Sequence, residues 1–268
     1  MSAAPSDLAA GAEPFRVFVG YDSREDIAYR VCRRSLLRRS SIPLAVIPIV
    51  QQELRAAGLY WRERGPTEST EFSFTRFLTP YLAGYRGWAL FVDCDFLFVA
   101  DVAELVSRLA AGAGGRAVLC VHHDYAPKEA TKMDGAVQTA YPRKNWSSMV
   151  LFNCGHPKNR AALTPEAVST RSGAYLHRFA WLDDADIGEV PFVWNFLVGH
   201  NRVDPGDAAA TAPRAIHYTS GGPWFERYRD CEFADLWLQE RDAYEAEKEE
   251  DEDVKAALQV APAVSVDA

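Results

Sequence analysis

Residues 88–99 constrain this chain more than any other stretch. Ala89-Leu90-Phe91-Val92 is apolar at every position, breaks at Asp93-Cys94-Asp95, and resumes as Phe96-Leu97-Phe98-Val99. Unbroken apolarity, in place of the alternation of a half-exposed strand, marks a central strand covered on both faces and so an α/β sheet protein. Two carboxylates at the end of such a strand cost desolvation unless something compensates, and a divalent cation does so. Residues i and i+2 of an extended chain project to one side, so Asp93 and Asp95 are expected to converge while Cys94 turns away. Hard carboxylate oxygens suit Mg²⁺ or Mn²⁺, ions commonly held by one or two carboxylates plus substrate phosphates. The bland alternative is a pair of solvated acids at a strand end.

Strands and helices alternate around this run. A first strand at 15–20 leads through Tyr21 and Asp22 into a helix at 25–39, and a second strand at 44–50 carries Pro48, which suits an edge. An amphipathic helix is expected over 72–85, with Phe74, Phe77, Leu78, Tyr81 and Leu82 on one side, Arg76 among them and a kink at Pro80. Asp101 is placed to cap a helix reaching residue 110. Strands follow at 117–121, 147–152 and 214–218, and helices at 159–168, 172–180 and 225–245. The chain has 268 residues, 48% of them apolar, enough for one large core. Residues 14–245 are expected to form that domain, with a flexible segment at 1–13 and an acidic, disordered tail at 246–268.

The formal net charge is -8, but the acids gather in 245–253 and the remainder is close to neutral, which argues against nucleic acid as a partner. Arg24, Arg30, Arg33, Arg34, Arg38 and Arg39 crowd the first helix, where they either hydrate or offer a peripheral membrane contact. The five cysteines are scattered without zinc spacing and read as reduced thiols of a cytoplasmic protein. Residues 1–14 show no secretory signal, and no run has the length of a membrane span.

Four further features fall in a telling order. Gly20-Tyr21-Asp22 ends the first strand, Arg76 lies on an aromatic-rich segment before the acid strand, Asp93-Cys94-Asp95 is a DXD motif, and His217-Tyr218-Thr219-Ser220-Gly221-Gly222-Pro223-Trp224 comes late. Together they resemble the GT-A glycosyltransferases, and among them the family 8 nucleotide-sugar transferases. The resemblance implies a GT-A (Rossmann-like) fold: a mixed, mainly parallel sheet flanked by helices in a single domain. It implies that Tyr21 stacks on a base, that Asp22 accepts a hydrogen bond from it, and that Arg76 steadies the acids or the donor sugar. Asp93, Asp95 and His217 would hold Mn²⁺ or Mg²⁺, and Gly221 and Gly222 would let backbone amides approach phosphates. Residues 181–188 resemble the family's Asp-Gln-Asp region, which puts Asp183 or Asp184 near the reacting sugar carbon; either acid would serve equally as a helix cap. The implied activity is transfer, with retention, from a nucleoside-diphosphate sugar, a UDP-sugar foremost, to a carbohydrate or other hydroxyl acceptor.

The chain departs from the family in two places. The lysine before Pro-Trp is missing, Gly222 standing there, so Lys128, Lys132, Arg143 and Lys144 are the alternative cations for a diphosphate. Residues 122–148 are unlike the family pattern, and Lys144, Asn145, Trp146 and Ser147 are expected on the acceptor side. Trp146, Trp194 and Trp224 are candidate sugar-stacking faces, with ordinary packing favoured for Trp194. His122 and His123 point oppositely on a strand and cannot share a ligand. A phosphohydrolase of the haloacid dehalogenase type also carries Asp-x-Asp after an apolar strand, but on its first strand, and it leaves 217–224 unexplained. A sugar nucleotidyltransferase wants a glycine-rich basic loop after its first strand, which is absent. A non-catalytic nucleotide-sugar-binding protein would share all of these features except turnover.

Overall fold

A computed structural model describes residues 13–65, 68–124, 143 and 145–260. Its strands, among the described residues, are β1 (Phe15–Gly20), β2 (Leu44–Ile49), β3 (Trp88–Val92), β4 (Phe96–Phe98), β5 (Val118–Cys120), β6 (Met149–Asn153), β7 (Ile187–Glu189), β8 (Phe196–Leu197) and β9 (Ala215–His217). Six of them form the main sheet in the order β2-β1-β3-β6-β5-β7. β6 runs antiparallel to its neighbours β3 and β5, and the other five strands point one way. The sheet is therefore mixed and mainly parallel. Pro48 lies in the edge strand β2, where a missing N–H breaks no ladder.

β3 sits between β1 and β6, and Ala89, Leu90, Phe91 and Val92 are all fully buried, as unbroken apolarity requires. Residues 88–99 are nevertheless two strands in two sheets. The chain turns at Cys94-Asp95, and β4 pairs antiparallel with β9, which pairs parallel with β8 in a second, three-stranded sheet. The acids occupy the corner between the sheets, so a turn and not an extended strand brings them together.

The expected helix over 72–85 is instead a 3₁₀ turn, Thr75–Leu78, followed by one helical turn, Thr79–Leu82, with Pro80 in its first turn where no amide bond is lost. Positive φ at Gly84, Tyr85 and Gly87 then stops it. The helix expected at 159–168 is two, Pro157–Ala162 and Pro165–Thr170, because Thr164 caps a fresh start before Pro165. β7 and β8, of three and two residues, carry too little pattern to be read from sequence.

The last helix, Ala234–Val260, runs through the acidic segment, so the expected boundary at residue 245 falls inside it. Residues 1–12 and 261–268 of the expected terminal segments lie outside the described residues. The helix packs on the first long one, Asp26–Arg39, through ion pairs. Arg34 meets Glu240 and, at 2.6 Å, Glu247, while Arg39 meets Glu240 at 2.8 Å. Arg30 pairs with Asp26 and Arg24 with Asp22. Much of the basic face that read as a membrane contact is thus spent within the chain. No helix among the described residues is long and apolar enough to cross a membrane. Cys32, Cys94, Cys120, Cys154 and Cys231 are free thiols, the first four buried.

Candidate active site

Because five strands of the main sheet point one way, the chain leaves β1, β3, β5 and β7 along a single edge, where Asp22, Asp93, His123 and Val190 follow. At that edge Asp93, Asp95 and His217 converge, one ligand atom from each lying within 4.8 Å of the others. Asp93 follows β3 directly, its amide donating to the Ser148 carbonyl at 2.9 Å. Its carboxylate is 2.7 Å from Arg76 Nη1. Arg76 is buried; it also donates to the carbonyls of Ser147 and Ser73, and its guanidinium faces the rings of Phe72 and Phe91. The structure thus brings Arg76 to Asp93.

His217 ends β9, opposite Phe96 of β4. Its ring stacks on Phe96 with centroids 4.4 Å apart, and its Nε2 lies 3.4 Å from Asp95 Oδ2. Nδ1 lies 2.8 Å from Asn195 Oδ1, and Asn195 Nδ2 donates to Ser148 Oγ at 2.9 Å. Two carboxylates and an imidazole nitrogen form a donor set that fits Mn²⁺ or Mg²⁺ completed by phosphate or water oxygens. His123 approaches Asn195, and burial, then the nearby His217, push its imidazole down to about 3, so it is neutral at physiological pH.

The nucleoside side differs from expectation. Asp22 is fully buried and both its oxygens are engaged. Oδ1 accepts from the Arg24 amide and Nε, and Oδ2 from Arg24 Nη2 and the Glu71 amide. It caps the turn Ser23–Glu25 that starts the first helix. These bonds outweigh the cost of burial and hold the carboxyl below its usual range. An acceptor already taken four times is not offered to a base. Tyr21 is anchored by its hydroxyl, which donates to Asp26 at 2.9 Å, and its ring meets the Tyr29 edge.

Glu25, which the sequence does not single out, lies buried beside this site at 2% exposure. Burial, then Asp95 and Asp22, push its carboxyl up to about 8. Trp224 Nε1 approaches it without reaching hydrogen-bond geometry, and Glu25 Oε2 is unpartnered. The glycines of the late motif serve packing. A Cβ on Gly222 would collide with the Trp224 ring and one on Gly221, at φ +125°, with Tyr228. The Gly221 amide donates to Tyr218 at 2.8 Å, so it is committed to a turn and not to a phosphate.

Asp183 and Asp184 immediately precede β7; Asp183 pairs with Lys158, and Asp184 with Arg143, whose guanidinium lies over Trp146 beside His122. Asp183 begins a capping box with Asp186. Both are largely exposed, and the structure does not bring either to the metal cluster. Arg143 is spent on Asp184 and the Arg178 carbonyl; Lys128, Lys132 and Lys144 lie outside the described residues. Trp146 stacks flat on His122, centroids 4.1 Å apart, with Arg143 over the ring, so its faces are occupied. Trp194 is 1% exposed and packs in the core. Trp224 packs against Trp237 and Tyr218.

No family model matches the chain. One curated relative, Protein CDI of Arabidopsis thaliana, is 63% identical over 241 residues, 90% of this chain and 91% of that protein. Among solved structures, the WbbM bifunctional glycosyltransferase superposes with a TM-score of 0.61 at 13% identity over 87% of this chain. LgtC, solved as an active-site mutant, gives 0.53 at 12% identity over 85% of this chain and 96% of its own. The glycosyltransferase GlyE of Streptococcus pneumoniae TIGR4 gives 0.52 at 15% identity over 86% of this chain. The chain spans 50% of WbbM and 60% of GlyE. At these identities the likeness is one of fold, and that fold is the GT-A type.

Proposed function

The chain belongs to the family of Protein CDI of Arabidopsis thaliana, and from that premise and the GT-A fold we propose that it is a metal-dependent glycosyltransferase. It moves a sugar from a nucleoside-diphosphate sugar, a UDP-sugar, to a hydroxyl acceptor, with retention of configuration. The observation that carries this reading is the convergence of Asp93, Asp95 and His217 at the edge where β1 and β3 end. In open α/β sheets, ligands bind outside the carboxyl ends of the parallel strands.

Asp93, Asp95 and His217 are the residues that would hold Mn²⁺ or Mg²⁺, and the cation would neutralise charge developing on a diphosphate leaving group. Arg76 fixes the Asp93 carboxylate. Tyr21, its hydroxyl tied to Asp26, offers a ring of set orientation to the nucleoside. Asp22 supports that turn from within and does not read the base. Trp224 packs beneath the turn at Gly221 and Gly222, which borders the site beside Glu25.

Calorimetric titration of UDP and of GDP, with Mn²⁺ and then with EDTA, tests the reading. Metal-dependent binding of UDP that vanishes in Asp95→Ala is expected. GDP binding alone would change the donor base. Binding of neither would transfer the weight to a phosphohydrolase, for which phosphatase assays are the next step. The anomer of the product, assigned by NMR, tests retention.

A further inference from the structure

We propose that Asn195 and Ser148 are positioning residues of the metal site, which lock His217 in the Nδ1–H tautomer and so present its bare Nε2 beside Asp95. The inference rests on the metal reading above and concerns what orients one of its three ligands.

The argument is one of hydrogen-bond direction, and it starts from a group with a fixed role. A backbone carbonyl only accepts, so Ser148 Oγ, 2.7 Å from the Asn145 carbonyl, donates its proton there. That leaves the Ser148 oxygen with lone pairs alone, and at 2.9 Å it accepts from Asn195 Nδ2. The Asn195 amide is thereby oriented with Oδ1 toward His217 Nδ1, at 2.8 Å. An amide oxygen cannot donate, so the proton is on Nδ1. A neutral imidazole with Nδ1–H has a bare lone pair at Nε2, the form that ligates a metal.

Nε2 lies 3.4 Å from Asp95 Oδ2. That edge of the ring is favourable toward the carboxylate only with a proton or a cation between them, and a bound metal would take the place a proton holds in its absence. The ring has little freedom to escape, since His217 is 2% exposed and stacks on Phe96. The other tautomer would set two lone pairs against each other across the 2.8 Å contact to Asn195 and forfeit a buried hydrogen bond.

The same short turn reaches Asp93. The Ser148 carbonyl accepts the Asp93 amide at 2.9 Å, and the Ser147 carbonyl accepts from Arg76, which holds the Asp93 carboxylate. Residues 145–148, of which Asn145, Trp146 and Ser147 are expected from sequence on the acceptor side, thus anchor Asp93 by main chain and His217 by the Ser148 side chain. Asn145, at φ +65°, begins the turn in a left-handed conformation that asparagine tolerates better than most residues.

Two measurements test this. Long-range ¹H–¹⁵N NMR on the metal-free protein, with His217→Gln to assign the ring, is expected to show Nδ1 protonated and no form protonated at Nε2 alone. In Ser148→Ala and Asn195→Ala the ring is expected to populate Nε2–H. Calorimetry with Mn²⁺ is expected to show affinity weaker by roughly 10–100-fold in each variant. Ser148→Thr, which keeps the hydroxyl, is expected to retain wild-type affinity. The double variant is expected to be no worse than Asn195→Ala, because the two act in one chain. An Nε2–H tautomer in the wild-type protein overturns the proposal, and so does Ser148→Ala that keeps both tautomer and affinity. A wild-type protein with the Nδ1–H tautomer that binds no Mn²⁺ overturns instead the metal reading on which the purpose of the lock rests.

Discussion

Glu25→Gln is expected to make the protein more stable at alkaline pH and to leave it nearly unchanged in acid. Burial, with Asp95 and Asp22 nearby, carries the Glu25 carboxyl from an ordinary 4.5 to about 8. The folded protein therefore keeps a proton that the unfolded chain has released across this window. Stability from that proton is fully present below pH 4.5 and is lost as pH rises to about 8. The loss runs at about 1.4 kcal/mol per pH unit, to a total on the order of 5 kcal/mol. Glutamine has nearly the shape of the protonated acid and no charge to desolvate, so its variant escapes the loss. For a domain of this size that corresponds to a melting temperature higher by on the order of 10 °C at pH 8.5. Thermal unfolding of both proteins from pH 5 to 9, in EDTA, reads it directly. A stability difference that stays constant with pH would refute the reasoning, because it would mean that the folded site already accommodates the charged carboxylate. Added Mn²⁺ is expected to flatten the wild-type pH dependence, since a cation beside Asp95 favours the ionised neighbour.

Three other changes probe separate parts of the molecule. Arg76→Lys keeps a charge but loses the planar fork that serves Asp93, Ser147 and Ser73 at once; Mn²⁺ affinity is expected to fall by about 10-fold or more, and unchanged affinity in calorimetry would separate Arg76 from the metal site. Glu240→Ala removes the shared partner of Arg34 and Arg39 and leaves the largely buried Arg34 with Glu247 alone, a loss of about 3 kcal/mol in urea unfolding; a loss under about 1 kcal/mol would show the clamp to be solvent-screened. Asp183→Asn and Asp184→Asn, at largely exposed acids outside the Asp93-Asp95-His217 group, are expected to leave steady-state turnover as it is. A large fall in kcat for either would return that acid to the reacting centre.

The convergence of Asp93 and Asp95 was legible because its signal is local: an apolar run that ends on two acids announces that something compensates them. The strand to which each candidate belongs was not. Residues 181–188 resemble a reacting-centre motif, but their placement depends on the direction of β7, three residues long with Ile187 as its single buried side chain. Asp22 was recognised at the right edge and misassigned in role, because its partner Arg24 stands two residues on and takes the lone pairs that a base would need. Glu25 looked like an ordinary first residue of a helix. Its neighbour Trp224 arrives from the far end of the chain. Asn195 likewise acquires meaning only through Ser148, 47 positions away.

Four carboxyls meet where β1 and β3 end. Asp22 has Arg24 and Asp93 has Arg76. Glu25 keeps its own proton under burial, and Asp95 faces His217, whose proton is on the nitrogen turned away from it. A divalent cation held by Asp93, Asp95 and His217 would add the positive charge that a departing diphosphate requires. On the proposed reading the positive charge at the leaving group would come from the cation itself, since Gly222 stands where the family's lysine is expected. The consequence is a sharper dependence on metal than a lysine-bearing site would show: nucleoside-diphosphate affinity in EDTA is expected to collapse and not merely to weaken. Substantial EDTA-resistant UDP binding would mean that another cation of this chain reaches the diphosphate.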